Sequence, residues 1–105
     1  MKIIENVFTQ PDSKTILDTE QCKIEMFKIA EDLSTATITI AGKSEYSFTA
    51  RSGILTVNVG AGTISTPKEA FELNLFQKIG LERNDRVTIK NTQTIPLILN
   101  FISAN

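Results

Sequence analysis

Residues 35–59, TATITIAGKSEYSFTARSGILTVNV, decide the fold of this chain. Apolar and polar side chains alternate in three runs within this stretch, and several of the side chains are β-branched. The runs cover residues 35–40, 46–50 and 54–59. A period of two is the pattern of a β-strand with one buried face. Because short segments with Gly42 and Gly53 separate the runs, we predict three strands joined as an antiparallel meander.

Further strands are predicted on both sides of this stretch. The segment Lys23–Ile29 alternates imperfectly, and a β-bulge near Met26 and Phe27 would repair the pattern. Residues 86–90 form a short alternating run that follows a turn at Asn84 and Asp85. The chain then ends in an uncharged apolar segment, which we predict to be a last, central strand.

One segment has two possible structures. Residues 66–69, TPKE, have the composition of a helix start, with a capping threonine, a proline in the first turn and a glutamate that completes a capping box. Gly80 is a suitable helix end, so a short helix over 67–79 is the favoured prediction. A strand is the alternative, since apolar and polar residues also alternate over 71–75.

The length and strand pattern predict one domain. A chain of 105 residues fits a single hydrophobic core. Many short strands with turn signals between them indicate a mainly β protein, an antiparallel β-sandwich of jelly-roll or Greek-key type. We predict one sandwich domain over 1–105, in which residues 1–12 form an edge strand or an extended N-terminal arm before a turn at 10–13.

Charge and composition argue against two classes of partner and indicate a compartment. The 11 basic and 12 acidic residues are interleaved and give a net charge of -1, so we expect no nucleic-acid partner. No apolar run approaches the roughly 20 residues that cross a membrane, and we expect no membrane association. A single cysteine forms no internal disulfide, which indicates synthesis in a cytosol.

The residues that carry catalysis are scarce. The chain has no histidine, which removes the Ser-His-Asp and Cys-His arrangements and the zinc sites that rely on imidazole. Glu31 and Asp32 fit a solvated turn better than a catalytic pair, and Cys22 fits a small packing residue better than a reactive thiol. We therefore predict no enzymatic activity, no metal and no cofactor.

The terminal strand is the candidate interaction site. Its apolar side chains fall on both faces of a strand, as expected when both faces are covered. One face can pack on the internal core, and the other needs the predicted helix or another subunit. The predicted interface residues are Leu97, Ile98, Leu99, Phe101 and Ile102.

Two resemblances follow from these features. The last two strands, with the polar turn 91–94 between them, resemble the end of a cupredoxin-type sandwich, but the copper site of that family needs histidines, which this chain lacks. The whole chain, small and mostly β with an apolar interface, resembles the jelly-roll decoration or cement proteins on the heads of tailed bacteriophages. That resemblance implies a non-enzymatic virion protein, assembled in the host cytoplasm and forming homo-oligomers on a capsid lattice.

Two alternatives remain from other classes of function. One is a small β-sandwich binding module, such as a fibre-tip or adhesin-like domain, that recognises a glycan or a protein through Tyr46 and Arg51 near the predicted hairpin loops. The alternative localisation is cytoplasmic. The other is a small enzyme of unknown type.

Overall fold

The computed structural model describes residues 13–104, which form ten β-strands and no helix. Residues 1–12 and 105 lie outside the described range, and so do the predicted N-terminal arm and most of the turn at 10–13. The strands are β1 Ser13–Asp18, β2 Cys22–Ala30, β3 Leu33–Ile40, β4 Glu45–Thr49, β5 Gly53–Val59, β6 Gly62–Ser65, β7 Ala70–Leu73, β8 Lys78–Leu81, β9 Arg86–Lys90 and β10 Leu97–Ala104.

The strands form two antiparallel sheets. The six-stranded sheet has the order β1-β2-β3-β10-β5-β8, and the four-stranded sheet has the order β4-β9-β6-β7. This confirms the predicted antiparallel β-sandwich. Strand β10 lies in the interior of the larger sheet between β3 and β5, so the last strand is central, as predicted.

The core fills the space between the sheets. Side chains of paired residues point to the same side of a sheet, so the register defines apolar rows across β2, β3, β10 and β5. Ile24, Ile38, Leu99 and Val57 form one such row, and all four are buried. Each fully buried aliphatic side chain of this kind stabilises the fold by about 1.5 to 3 kcal/mol.

The predicted meander is wrong, although all three of its strands exist. Strand β3 pairs with β2 and β10, β4 pairs with β9 alone, and β5 pairs with β10 and β8. The chain crosses from one sheet to the other after β3 and again after β4. Alternation defines the buried face of a strand but not the strand with which it pairs. Here the β3–β4 and β4–β5 connections join strands of different sheets instead of closing a hairpin.

The predicted helix over 67–79 is also wrong, because its start signals serve a hairpin turn. The amide of Thr66 donates to the Glu69 carbonyl at 2.8 Å, and the Thr66 hydroxyl accepts from the Lys68 amide at 3.3 Å. These bonds close the turn between β6 and β7. A second turn follows, in which Phe76 has a φ of 66°, a left-handed conformation that no regular helix contains.

The predicted bulge at Met26 and Phe27 is absent. Strand β2 pairs with β3 without a register shift from Cys22 to Lys28, and the shift in pairing with β1 lies between Thr15 and Leu17. The break in alternation at Met26 and Phe27 has another cause. Met26 faces the space between the sheets, whereas Phe27 lies on the opposite face and is only 2% exposed.

Two glycines give a test of the packing between strands. A Cβ atom at Gly62 on β6 would collide with the Lys90 carbonyl oxygen on the neighbouring strand, whereas a Cβ at Gly80 on β8 would meet nothing within 4 Å. We expect Gly62→Ala to lower the free energy of unfolding by about 2 kcal/mol. We expect Gly80→Ala to leave it unchanged or raise it by up to about 1 kcal/mol. Urea unfolding monitored by circular dichroism measures both, and equal losses would contradict the close approach at Gly62.

Candidate functional site

A cavity of about 560 Å³ opens at one end of the sandwich, which is a volume typical of small-molecule sites. Its position follows from the register. The inward row of Met26, Ala36 and Phe101 is the last apolar one, and the next row consists of Lys28, Ser34 and Ser103. The described residues that line the cavity are Lys14, Met26, Lys28, Glu31, Ser34, Arg51, Ser52, Arg83 and Ala104.

One buried hydroxyl group, that of Ser34, lines the cavity, and a second, that of Ser103, lies on the neighbouring strand. Ser34 and Ser103 are direct partners across β3 and β10, and both are almost fully buried. The Ser103 hydroxyl makes no hydrogen bond to any residue within 13–104. A buried hydroxyl without a partner is unfavourable; this one lies beside a lining residue but does not itself line the cavity.

The walls of the cavity are strongly basic. Four cationic side chains and one carboxylate line it, a formal charge of +3, although the whole chain has a net charge of -1. Lys14 reaches the cavity from β1, where it pairs with Met26. Lys28 Nζ lies 3.7 Å from Glu31 Oε2, so one of the cations is paired with the single carboxylate. Lys14 and Arg83 form no ion pair within the described part of the chain.

Two backbone hydrogen bonds fix the loops that carry Arg51 and Arg83 on the opposite side of the cavity. The amide of Ala50 donates to the Asp85 carbonyl at 2.8 Å, and the Asn84 amide donates to the Ala50 carbonyl at 2.9 Å. These bonds join the β4–β5 connection, which carries Arg51, to the β8–β9 turn, which carries Arg83. The two guanidinium groups therefore belong to one hydrogen-bonded loop unit, not to independent surface loops.

The predicted interface residues separate into two groups. Leu97, Leu99 and Phe101 point inward and form part of the core, so they are used within the chain. Ile98 and Ile102 point to the outer face, where Ile98 is half-buried and Ile102 is 44% exposed. An interface through β10 would use these two residues only, and its existence stays a prediction.

The outer face of the larger sheet carries two apolar pairs. Ile102 lies opposite Ile54 on β5, and Ile98 lies opposite Val59. Ile54 is 53% exposed, and its neighbour on the next strand is Gly80, which adds no side chain. We call Ile54, Val59, Ile98 and Ile102 the outer apolar patch.

Comparison with solved structures identifies the type of sandwich. The plu4264 protein of Photorhabdus luminescens is 13% identical, with a TM-score of 0.75 over 97% of this chain and 87% of that one. A cupin-2 domain, Rru_A2000 of Rhodospirillum rubrum, is 5% identical, with a TM-score of 0.73 over 100% of this chain and 77% of that one. The chain has the cupin-type jelly-roll fold.

Other comparisons give the fold and no closer relationship. Vicilin of hazelnut, Corylus avellana, is 15% identical and has a TM-score of 0.77, and the match covers 87% of this chain but 31% of that one. No family model matches the sequence, and no curated protein matches it. At these identities the likeness shows the cupin-type fold alone, and the site has to be argued from its own residues.

The interior of this cupin-type sandwich offers apolar groups and one thiol. Cys22 lies in the core, and burial raises its pKa to about 11, so the thiol is protonated at neutral pH. Lys23 points to the opposite face, where its Nζ lies 3.0 Å from Glu25 Oε1. The buried position of Cys22 confirms it as a packing residue. Among the described residues, no three His, Cys, Asp or Glu side chains are grouped as metal ligands would be.

The two residues predicted for ligand recognition have different environments. Tyr46 lies on β4, half-buried, with its ring stacked on Phe48 at a centroid distance of 5.5 Å. Burial raises the pKa of the Tyr46 phenol. Tyr46 is therefore not an exposed platform for a sugar, whereas Arg51 is exposed and lines the cavity.

Between residues 13 and 104, no helix is long and apolar enough to cross a membrane.

The cavity was not predicted from the sequence. Its cations lie far apart in the chain, and a net charge of -1 gives no sign of a local excess. Glu31 is exposed in a turn, as predicted, but it also lines the cavity. One signal was present in the sequence: Ser34 and Ser103 continue the alternation of their strands in the apolar phase and mark where the core ends.

Proposed function

We propose that this protein is a non-enzymatic assembly protein that forms homo-oligomers through its outer apolar patch. The observation that carries the proposal is the exposure of Ile54 and Ile102, direct cross-strand neighbours on the central strands of the larger sheet. Exposed aliphatic side chains that adjoin one another on a flat sheet face favour burial against a partner.

A second copy of the chain is the partner that these residues fit. The patch consists of two similar apolar pairs with the polar pair Asn100 and Thr56 between them. Two such faces can pack on each other about a twofold axis, each apolar pair covering one of the other copy, as in an isologous sheet interface. The net charge of -1 causes little repulsion between copies.

A lysine substitution in the patch tests the proposal. We expect Ile54→Lys to weaken self-association at least roughly tenfold, because each interface would bury two uncompensated ammonium groups. The matched control is Ile16→Lys, since Ile16 on β1 is 54% exposed but lies on the far edge strand of the same sheet. Sedimentation velocity over a range of concentrations measures the association, and circular dichroism verifies folding. A wild-type chain that stays monomeric, or equal losses in both variants, would refute the proposal.

The finer form of the proposal is a decoration or cement protein on the capsid of a tailed bacteriophage. In that role the protein assembles in the host cytoplasm and is localised in the virion. The small all-β domain and the apolar patch support it, since weak pairwise contacts become effective on a lattice that presents many sites. Sequencing of the neighbouring genes tests it: capsid and portal genes are expected there, and a locus without them would count against a virion role.

The alternative, a module that recognises a glycan or a protein, is favoured by the cavity and by Arg51 within it. Glycan-array screening of the Ile54→Lys variant, at a concentration where sedimentation velocity shows it to be monomeric, separates the two functions. Specific glycan binding that is retained in the absence of assembly would support the binding module as the primary function.

A further inference from the structure

We propose that the basic cavity binds a small organic anion that carries a carboxylate or phosphate group. The site is distinct from the outer apolar patch, and the proposal holds whether or not copies of the chain associate. Three observations support it: the lining residues, the way the fold brings them together, and the lack of an ion pair at Lys14 and Arg83 within residues 13–104.

The cations converge from three separate parts of the fold. Lys14 and Lys28 lie on the two adjacent strands β1 and β2, and Arg51 and Arg83 lie on the bonded loop unit. A run of like charges along one segment would be an ordinary solvated surface. Four like charges that long-range packing brings into one cleft repel one another, and the single carboxylate of the described lining offsets only part of that repulsion, so a bound anion would stabilise the arrangement.

The charge of the lining selects the sign of the ligand. Glu31 can compensate one cation, and its carboxylate already lies 3.7 Å from Lys28. Lys14 and Arg83 form no ion pair within residues 13–104, so at least these two cations are open to a ligand. A carboxylate or phosphate accepts hydrogen bonds from the planar fork of an arginine and from lysine ammonium groups, and such charge-assisted bonds are stronger than neutral ones.

The rest of the lining selects an organic anion over a bare inorganic ion. Met26 and Ala104 provide apolar surface, and the lysine and arginine stems add more. The hydroxyl groups of Ser34 and Ser52 add neutral polar groups to the lining. A ligand with a short carbon skeleton, one or more acidic groups and a hydroxyl group would satisfy all three parts of the cavity.

Calorimetric titration with defined probes tests this inference on the full chain. The probes are citrate, glucose 6-phosphate and inorganic phosphate, with glucose as the neutral control, all at constant ionic strength. We expect saturable binding of at least one organic anion, weaker binding of inorganic phosphate and none of glucose. Preference for citrate or for the sugar phosphate distinguishes a carboxylate ligand from a phosphate ligand. Absence of saturable binding for all three anions would overturn the proposal.

A pair of arginine variants tests whether the cavity is the site. We expect Arg83→Gln to weaken binding of the preferred anion by roughly tenfold, because one charge-assisted bond is lost. The control is Arg86→Gln, since Arg86 is exposed on β9 and does not line the cavity. Thermal unfolding without ligand verifies that both variants fold. Equal weakening by the two substitutions would show a nonspecific charge effect and would overturn the site.

Discussion

Replacing Leu99 with alanine is expected to lower the free energy of unfolding by about 4 kcal/mol, the largest effect that we predict. Leu99 has no exposed surface and lies on the central strand β10, between Ile38 on β3 and Val57 on β5. Truncation removes buried apolar surface and leaves a cavity between the two sheets. Strand β10 is held in place by pairing with β3 on one side and β5 on the other. The surrounding strands have little freedom to collapse into the space.

The control for this variant is Leu75→Ala. Leu75 is 52% exposed in the connection between β7 and β8, so the same chemical change should alter the free energy of unfolding by less than about 0.5 kcal/mol. Chemical denaturation followed by circular dichroism measures both variants. A loss below about 2 kcal/mol for Leu99→Ala would mean that the two sheets are not packed as closely as the structure shows.

Asn91→Ala is expected to lower the free energy of unfolding by about 3 kcal/mol, although it removes no apolar contact. The Asn91 side chain is buried, and its Nδ2 donates to the carbonyls of Ile40, Ala41 and Ile95 at 3.0, 3.1 and 2.7 Å. Its Oδ1 accepts from the Gln93 amide at 3.0 Å. Alanine would remove all four of these bonds at the junction of the β3–β4 and β9–β10 connections.

Two further variants separate the hydrogen bonds of Asn91 from side-chain volume. Asn91→Asp keeps the shape but places an acceptor and a negative charge against the carbonyls, so it should destabilise the fold at least as much at neutral pH. Asn58→Ala is the control, because Asn58 is exposed on β5 and should tolerate the change within about 0.5 kcal/mol. If Asn91→Asp is as stable as the wild type, the network has no structural importance.

The predicted strands were confirmed where the pattern has a local cause. Residues 35–40 and 54–59 alternate because each strand has one face on the core, and that face depends on the strand's own residues. The segment TPKE was misinterpreted because a hairpin turn and a helix start use the same capping chemistry over their first residues. Residues 74–77 then form a second turn. No residue pattern in this segment indicated that turn, whereas Gly80 indicated a helix end.

The candidate sites were predictable only in part. Apolar residues on both faces of the last strand indicated a central position, and β10 has that position. Their division into core and surface was not predictable, since it depends on which side of the sheet faces the second sheet. The basic lining of the cavity was not predictable, because Lys14 and Arg83 line one cavity only after β1 and the β8–β9 turn are placed around the same end of the sandwich.

The sequence by itself determined the mainly β class and most strand positions, because these depend on alternation and turn composition within a few residues. Tertiary structure alone decided which strands pair, that the fold is of the cupin type and where the cations converge. The physical reason is the range of the interactions. Burial of one strand face is encoded locally, whereas sheet order depends on how ten strands close one core together, and a charge cluster exists only once that core has closed.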